Sequence, residues 1–228
     1  MLALNALARA VFHCKRIAAH PMTNQSDPLK PFERLALAYA EPALSEALLL
    51  LLLCDRRLQE VALKGQEPLL AQMRVVWWRE QFSKPADVRA KGEPLLGLIS
   101  QTDKLSPHLR LIEIASELAN SWEELAANPE PETQEVIEQH LTIRANAVFG
   151  AYANWSGASQ SLVTTTEKAG RFWAAGTIGL KVGDNLHEKI GIKPLDILVF
   201  GTKAELETAA PKRMLGAMRL GFHALTGL

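Results

Sequence analysis

Cysteine is scarce in this chain, which has only Cys14 and Cys54 among 228 residues, with no CxxC pair and no cluster of cysteine with histidine. This scarcity indicates a reducing compartment and argues against a structural zinc site. An excess of either charge is also missing, because 25 Lys and Arg balance 25 Asp and Glu. Proteins that bind nucleic acid usually carry a basic excess. We therefore expect no nucleic-acid partner.

Several short catalytic motifs are missing as well. The sequence contains no HExxH, GxSxG, P-loop or GxGxxG pattern, and its six histidines are scattered. This excludes the enzyme classes that depend on those patterns. Cys54 follows a leucine run with no histidine nearby in the sequence, so a catalytic thiol is not expected. The residues by themselves assign no catalytic group.

No hydrophobic run is long enough to cross a membrane. The richest one, ALLLLLLC, occupies eight residues at 47–54, whereas a spanning helix needs about 20. Acidic residues precede it, and the charged sequence DRR follows it at 55–57. The run therefore predicts a helix buried in a protein core.

The first 21 residues carry basic residues and no acid, with apolar residues between them. This composition is typical of an organellar presequence or of an amphipathic surface helix. Met22 begins a polar stretch, MTNQSDPLKP, that looks like a natural start. We therefore interpret residues 1–21 as a flexible basic extension and residues 22–228 as one domain. The expected location is cytoplasmic or membrane-peripheral, or the mitochondrial matrix if the extension is a presequence.

Apolar residues recur at helical spacing through most of the chain, and prolines stand at several segment starts. Helices are predicted at 42–63, 68–82, 94–100, 131–155 and 160–181, with one more from 107 to the breaker ANPEPET. The sequence DILVFG, 196–201, is ambiguous between strand and helix, and two short helices are predicted at 204–210 and 211–225. No alternating run of strand length occurs elsewhere. The pattern favours one all-α domain.

The stretch EPLLAQMRVVWWREQF, residues 67–82, contains two adjacent tryptophans. Consecutive helical positions lie about 100° apart, so Trp77 and Trp78 do not share one contact line. One is expected to face the core while the other meets a neighbouring helix. The adjacent Arg79 and Glu80 are expected to form a local ion pair or cap.

The longer sequence LLLLLLCDRRLQEVALKGQEPLLAQMRVVWWRE, preceded by FERLALAYAEP, resembles the squalene/phytoene synthase family of head-to-head prenyl synthases in order and spacing. The resemblance covers roughly residues 32–185. Its signature positions are Glu67, Pro68, Arg74, Trp77, Trp78 and Arg79. It implies an isoprenoid synthase-type helical bundle around a central, mostly apolar cavity.

In that family two aspartate-rich motifs hold magnesium ions, which bridge the diphosphate of a prenyl substrate. The positions that match the first motif are Gln59, Glu60 and Leu63, and those that match the second are Ala174, Thr177, Leu180, Lys181 and Asn185. Glu60 is thus one candidate metal ligand. Asp184, which directly precedes the matched position Asn185, is the other. Arg56, Arg57 and Arg74 are candidates for binding a diphosphate or another anionic head group. Their alternative role is in intrahelical salt bridges.

The loss of aspartates makes the chain more similar to a non-catalytic branch of the family, which includes a mitochondrial assembly factor for respiratory complex I. The resemblance then implies a catalytically degenerate protein without a cofactor. Its expected partners are an isoprenoid or lipid ligand, a protein partner or a second copy of the chain, and a membrane surface. The end of the sequence at GAMRLGFHALTGL favours an exposed apolar groove and self-association.

Two other interpretations remain open. One is a Mg²⁺-dependent prenyltransferase with an unorthodox metal site, which would require Glu60 and Asp184 to converge with a third acid. A lysine such as Lys181 pointing into that space would argue against it. The other is a structural subunit whose cavity is filled by its own side chains.

Overall fold

The computed structural model describes residues 29–63, 67–127, 134–180 and 189–207, and all regular structure in these ranges is helical. The prediction of an all-α protein is confirmed for this part of the chain. The basic extension at 1–21, the candidate ligand Asp184 with Lys181 and Asn185, and the helix expected at 211–225 lie outside the described residues.

Nine α-helices are assigned in the described ranges. They are α1 (Pro31–Tyr39), α2 (Ser45–Leu63), α3 (Pro68–Ser83), α4 (Pro94–Leu105), α5 (Leu111–Ala127), α6 (Gln134–Ala145), α7 (Ala151–Trp155), α8 (Val163–Thr177) and α9 (193–207). A proline occupies the first turn of α1, α3 and α4, where its fixed φ and missing N–H cost nothing. A π-helical turn, Asn146–Gly150, joins α6 to α7.

Some boundaries differ from the sequence predictions for identifiable reasons. Pro42 lies in a turn closed by hydrogen bonds to the carbonyl of Glu41, so α2 begins at Ser45 instead. The helix predicted at 94–100 continues to Leu105, because no breaker occurs before the Ser106-Pro107 pair.

The helix predicted from residue 107 is interrupted at Arg110. A short 3₁₀ turn, Pro107–Leu109, ends there because Arg110 has a left-handed backbone with φ of 51°. The carboxylate of Asp103 accepts the N–H of Ile112 at 3.2 Å and so caps the new helix that begins at Leu111. The ambiguous sequence DILVFG is helical and belongs to α9, as does the described part of 204–210.

The leucine run of α2 lies at the centre of the fold. Leu48, Leu50 and Leu51 are buried, and α2 packs against α3, α4 and α5. A helix that is apolar all round must be covered on all sides, so the predicted burial of this run is confirmed. In the described part of the chain, no helix has the length and apolar character needed to cross a membrane.

The other half of the fold is built on α6 and α8, which pack along each other. Their backbones approach closely at Gly170 of α8, where an added Cβ would lie 2.8 Å from the Cβ of Ala145 and 3.1 Å from that of Phe149. The largest fully buried side chains of the described residues include Trp122, Trp173, Arg144, Tyr152 and Phe149, and Arg144 and Trp173 belong to this helix pair. The close approach therefore sets the spacing around the aromatic centre of the bundle.

We expect Gly170→Ala to lower the free energy of unfolding by about 1–3 kcal/mol, the usual cost of overpacking a core. The added methyl group meets the opposite helix, and this cost exceeds the preference of about 1 kcal/mol for alanine over glycine in a helix. Gly97→Ala in α4 is the matched control, because no atom lies within 4 Å of its built Cβ. Chemical denaturation followed by circular dichroism tests both. Equal stabilisation by the two substitutions would contradict the close approach.

Candidate functional site

The central polar feature of the protein is a buried ion pair between α2 and α6. The Nε of Arg144 donates to Oδ1 of Asp55 at 2.8 Å, and Nη2 donates to Oδ2 at 2.7 Å. Both side chains are almost completely buried. This bidentate geometry is the strongest form of an arginine–carboxylate contact.

Further hydrogen bonds fix both partners. Trp122 of α5 donates its indole N–H to Oδ1 of Asp55 at 3.0 Å. Arg144 also donates to the carbonyl of Ala174 and to Oγ1 of Thr177, both at 2.7 Å. The guanidinium thus makes four hydrogen bonds, to α2 and α8, and Asp55 adds the hydrogen bond to α5.

Two indoles flank the guanidinium. The ring centroids of Trp122 and Trp173 lie 4.8 Å and 5.3 Å from its central carbon, within the range of a cation–π contact. Phe149 packs on Trp173 at 5.5 Å between centroids. We call Asp55, Arg144, Trp122, Trp173 and Thr177 the central cluster.

The environment keeps this pair charged. Burial alone would raise the pKa of Asp55, but the charge of Arg144 and the hydrogen bonds from Arg144 and Trp122 hold that pKa below its usual value. The carboxylate is therefore ionised at neutral pH, and its charge is fully compensated. By contrast, burial raises the pKa of the neighbouring Cys54 thiol, which stays protonated and is not an activated nucleophile.

His140 lies one turn before Arg144 and packs its ring edge against Trp122, with 4.4 Å between centroids. Its Nδ1 is 2.6 Å from the Oγ of Ser121. Burial lowers the pKa of His140 to about 3, and the positive charge of Arg144 acts in the same direction. The ring is therefore neutral in the folded protein.

A cleft of about 410 Å³ adjoins the central cluster. Its volume lies in the range of about 300–1,000 Å³ that is typical of small-molecule sites. Members of the central cluster that line it are Asp55, Trp173 and Thr177; the other lining residues are Lys30, Glu33, Leu52, Arg56, Gln59, Glu60 and Leu63. The cleft thus lies where α2 and the end of α8 face each other, next to the start of α1.

Most charged groups that line the cleft are already paired. Arg56 donates to Glu33 at 2.5 Å, and Lys30 donates to Glu205 of α9 at the same distance. The second carboxylate oxygen of Glu33 accepts the backbone N–H of Lys30 at 2.7 Å. Burial raises the pKa of Glu33, although Arg56 opposes that effect. A bound anion would have to compete with these carboxylates.

The structure brings four of the positions that the sequence matched to the two metal motifs to one cleft. Gln59, Glu60 and Leu63 of α2 line the same cleft as Thr177 of α8. The amide of Gln59 donates to the carbonyl of Thr177 at 2.9 Å. Ala174 of the second set is buried and gives its carbonyl to Arg144. Within the described residues, no group of three His, Cys, Asp or Glu side chains is arranged to hold a metal ion.

The three candidate anion-binding arginines lie in different surroundings. Arg56 lines the cleft and is paired with Glu33. Arg57 points to Glu93 before α4, with 3.6 Å between the charged atoms. Arg74 is exposed on α3. Of these three arginines, the structure places only Arg56 at the cleft.

The signature tryptophans have different environments, as their spacing predicts. Trp78 is 3% exposed and packs on Phe82, whereas Trp77 is 37% exposed and meets Trp78 edge to face at 5.5 Å. Arg79 forms a salt bridge with Glu123 of α5, with 2.8 Å between the charged atoms, where the sequence predicted a local pair with Glu80. The reason is that α3 packs along α5, which brings an acid of the opposite helix to Arg79.

The remaining signature residues mark the start of α3. Glu67 is its N-terminal cap residue and Pro68 its first residue.

Comparison with protein-family models, with curated proteins and with solved structures finds no match to this chain. The family resemblance therefore rests on the sequence motifs.

We expect Asp55→Asn to lower the free energy of unfolding by about 3–5 kcal/mol, because it leaves the charge of Arg144 buried without a counter-ion. Asparagine has nearly the same size as aspartate, so the loss of stability measures the effect of removing the negative charge. Glu113→Gln is the matched control, since it removes the carboxylate of the exposed Arg110–Glu113 pair, and exposed pairs contribute little. Chemical denaturation at neutral pH measures both. Similar effects of the two substitutions would argue against the central role of the buried pair.

The neutral His140 leads to a separate prediction about how the stability of the protein depends on pH. Its folded pKa lies below its value of 6.5 in the unfolded chain, so its contribution to stability is complete above that pH and declines as the pH falls toward about 3. The decline is at most about 1.4 kcal/mol per pH unit. Denaturation curves at several pH values should show a weaker pH dependence for His140→Asn. His108→Asn, at an exposed position, should keep the wild-type dependence. Identical profiles for all three proteins would contradict this assignment.

Proposed function

We propose that this protein is a catalytically degenerate member of the squalene/phytoene synthase family that works by binding an isoprenoid or lipid and a protein partner, as an assembly factor does. One observation carries the proposal: four positions matched to the two metal motifs line one cleft, but they present an amide, a single glutamate, a leucine and a threonine where magnesium chemistry uses several aspartates. The bundle would then be of the isoprenoid synthase type, with its ligand site retained and its metal site lost.

The convergence itself supports the family. Gln59 and Thr177 are 118 positions apart in the chain, and each belongs to one of the two stretches matched to the metal motifs. They form a direct hydrogen bond at the cleft. The family resemblance requires its two motifs to face each other on different helices, and α2 and α8 meet this requirement.

The chemistry of the cleft supports the loss of the metal site. Magnesium in such sites is held by carboxylates and by substrate phosphates. Asp55 gives both its oxygens to Arg144, and Glu33 gives its oxygens to Arg56 and to the backbone of Lys30. The described donor set does not fit a cluster of magnesium ions, because two of its three acids already neutralise arginines.

The exposed side of α3 supports a protein partner. Leu69, Leu70, Met73 and Trp77 are all substantially exposed on this helix. Exposed apolar groups that are contiguous mark interaction surfaces more often than chance solvent contacts. The signature Trp77 would then serve the partner surface, while Trp78 serves the core.

A Mg²⁺-dependent prenyltransferase with an unorthodox site is the second candidate. It is favoured by the volume of the cleft and by Glu60, which lines it beside Glu33. Glu60 and Asp184 would hold the ion, and the ion would stabilise the departing diphosphate. Lys30 and Arg56 would have to leave their carboxylate partners to help bind that group.

A turnover assay separates the two candidates. Farnesyl or geranylgeranyl diphosphate is incubated with Mg²⁺ and folded wild-type protein, with Glu60→Ala as the matched variant. We expect no release of diphosphate above background from either protein, because two of the three described cleft acids are committed to arginines. Release by the wild type that disappears in Glu60→Ala would overturn the proposed function and establish the prenyltransferase.

A further inference from the structure

We infer that residues 211–225 dock as a helix, within the same chain, on an exposed apolar face that α1 and α9 share. This docking is independent of what the cleft binds and of the partner surface on α3. It gives the apolar pattern of 211–225 a place in the fold.

The face lies on the outer side of the α1–α9 pair. Phe32, near the start of α1, packs so closely on Gly201 of α9 that no Cβ would fit there. At the end of α1, the Nζ of Lys193 lies 5.0 Å from the ring centroid of Tyr39. These two contacts show that α1 and α9 run antiparallel.

Three large apolar side chains are exposed on this side of the pair. Leu35 is 50% exposed, Tyr39 is 53% exposed and Phe200 is 74% exposed. Phe200 lies two turns after Lys193 on α9, and Leu35 lies one turn before Tyr39 on α1, so each pair shares one side of its helix. Because Lys193 touches Tyr39, the two sides adjoin. We call Leu35, Tyr39 and Phe200 the α1–α9 face.

Residues 211–225 have the sequence pattern of a helix with one apolar side. In PKRMLGAMRLGFHAL, Met214, Met218, Phe222 and Leu225 recur at intervals of three or four residues, which is the spacing of one helix side. The segment contains three bases and no acid. A helix of this length is stable in a protein mainly through the packing of its apolar side. The segment therefore needs an apolar surface to cover it.

The position and length of the segment favour the α1–α9 face. Only residues 208–210 separate it from Glu207, the last described residue of α9. Connections this short join helices that lie antiparallel as neighbours. α9 and the segment have 15 residues each, or about 22 Å of helix. The segment can therefore run back along the whole of α9.

The apolar positions match in this antiparallel arrangement. With 211 opposite 207, Met218 lies opposite Phe200, at the middle of both helices. Phe222 then lies beside Ile197, which is half-buried. The centre of the segment's apolar side thus covers the most exposed apolar side chain of α9.

The charges near the connection agree with the same arrangement. Glu205 and Glu207 are exposed in the last turn of α9, and the segment begins with Lys212 and Arg213. The antiparallel register brings these bases to the acidic end of α9, where opposite charges attract. The reverse direction would bring them to Lys193 at the other end.

The first test traps the docked segment with a disulfide in the full-length chain. Phe200→Cys is combined with Met218→Cys in a Cys14→Ser background, and Cys54 is buried. The matched pair is Phe200→Cys with Leu220→Cys, since Leu220 lies two positions further and on the opposite side of the predicted helix. An undocked segment would bring both cysteines to position 200 about equally often.

Under mild oxidation by copper phenanthroline, we expect the first pair to close a disulfide within one chain about tenfold faster than the matched pair, because the bond needs Cα atoms within about 7 Å. Electrophoresis without reductant separates bonds within a chain from bonds between chains.

Hydrogen exchange followed by mass spectrometry tests the same docking without new cysteines. The amides of 211–225 should be protected in the wild type and should exchange about tenfold faster or more in Phe200→Gln, because docking then loses the burial of one phenylalanine side chain. The matched control is Leu105→Gln on α4, whose side chain is also 74% exposed. This control should leave exchange of 211–225 unchanged.

Any of three results would overturn the docking within one chain. Equal rates of disulfide formation in the two pairs, or full exchange of 211–225 in the wild type, would show that the segment does not cover the α1–α9 face. Disulfides that form only between chains would assign the face to the segment of a second copy.

Discussion

The carboxylate of Asp55 sits inside the bundle, where an ionised group is tolerated only with a counter-charge and a full set of hydrogen bonds. Arg144 supplies the charge, and Trp122 supplies a further donor. These residues belong to α2, α6 and α5. The need to neutralise and hydrogen-bond one buried carboxylate therefore fixes the relative positions of three helices. The bonds from Arg144 to Ala174 and Thr177 extend the same requirement to α8. A bundle packed by leucines alone would leave helix rotation less constrained.

The same requirement shapes the cleft. Asp55, Trp173 and Thr177 belong both to the central cluster and to the cleft wall. The ion pair therefore also holds this part of the cleft wall in place. The two most buried acids of the cleft, Glu33 and Asp55, are both paired with arginines. Magnesium-dependent ionisation needs carboxylates that can reach a metal. The proposed function thus agrees with this arrangement of charges.

Sequence alone predicted the helices well where local signals were strong. Prolines at the starts of α3 and α4 and the leucine run of α2 have local consequences, and the described structure agrees with them. The left-handed Arg110 was missed because the cap that restarts the helix, Asp103, acts through folded geometry. At the site, Gln59 and Thr177, which belong to the two stretches matched to the metal motifs, line one cleft. The Asp55–Arg144 pair was missed, since its partners are 89 positions apart and each resembles an ordinary charged residue flanking an apolar run. An acid and an arginine on otherwise apolar helix faces were the available signal.

The most direct test of the account is to observe the side-chain carboxyl carbon of Asp55 by ¹³C NMR in the native protein, across pH and with added Mg²⁺. The account predicts that this carbon keeps the chemical shift of an ionised carboxylate to a pH below the usual aspartate pKa of about 3.9. It also predicts that Mg²⁺ leaves the signal unchanged, because Arg144 holds both oxygens. A titration near the usual pKa, or a saturable response to Mg²⁺, would contradict it.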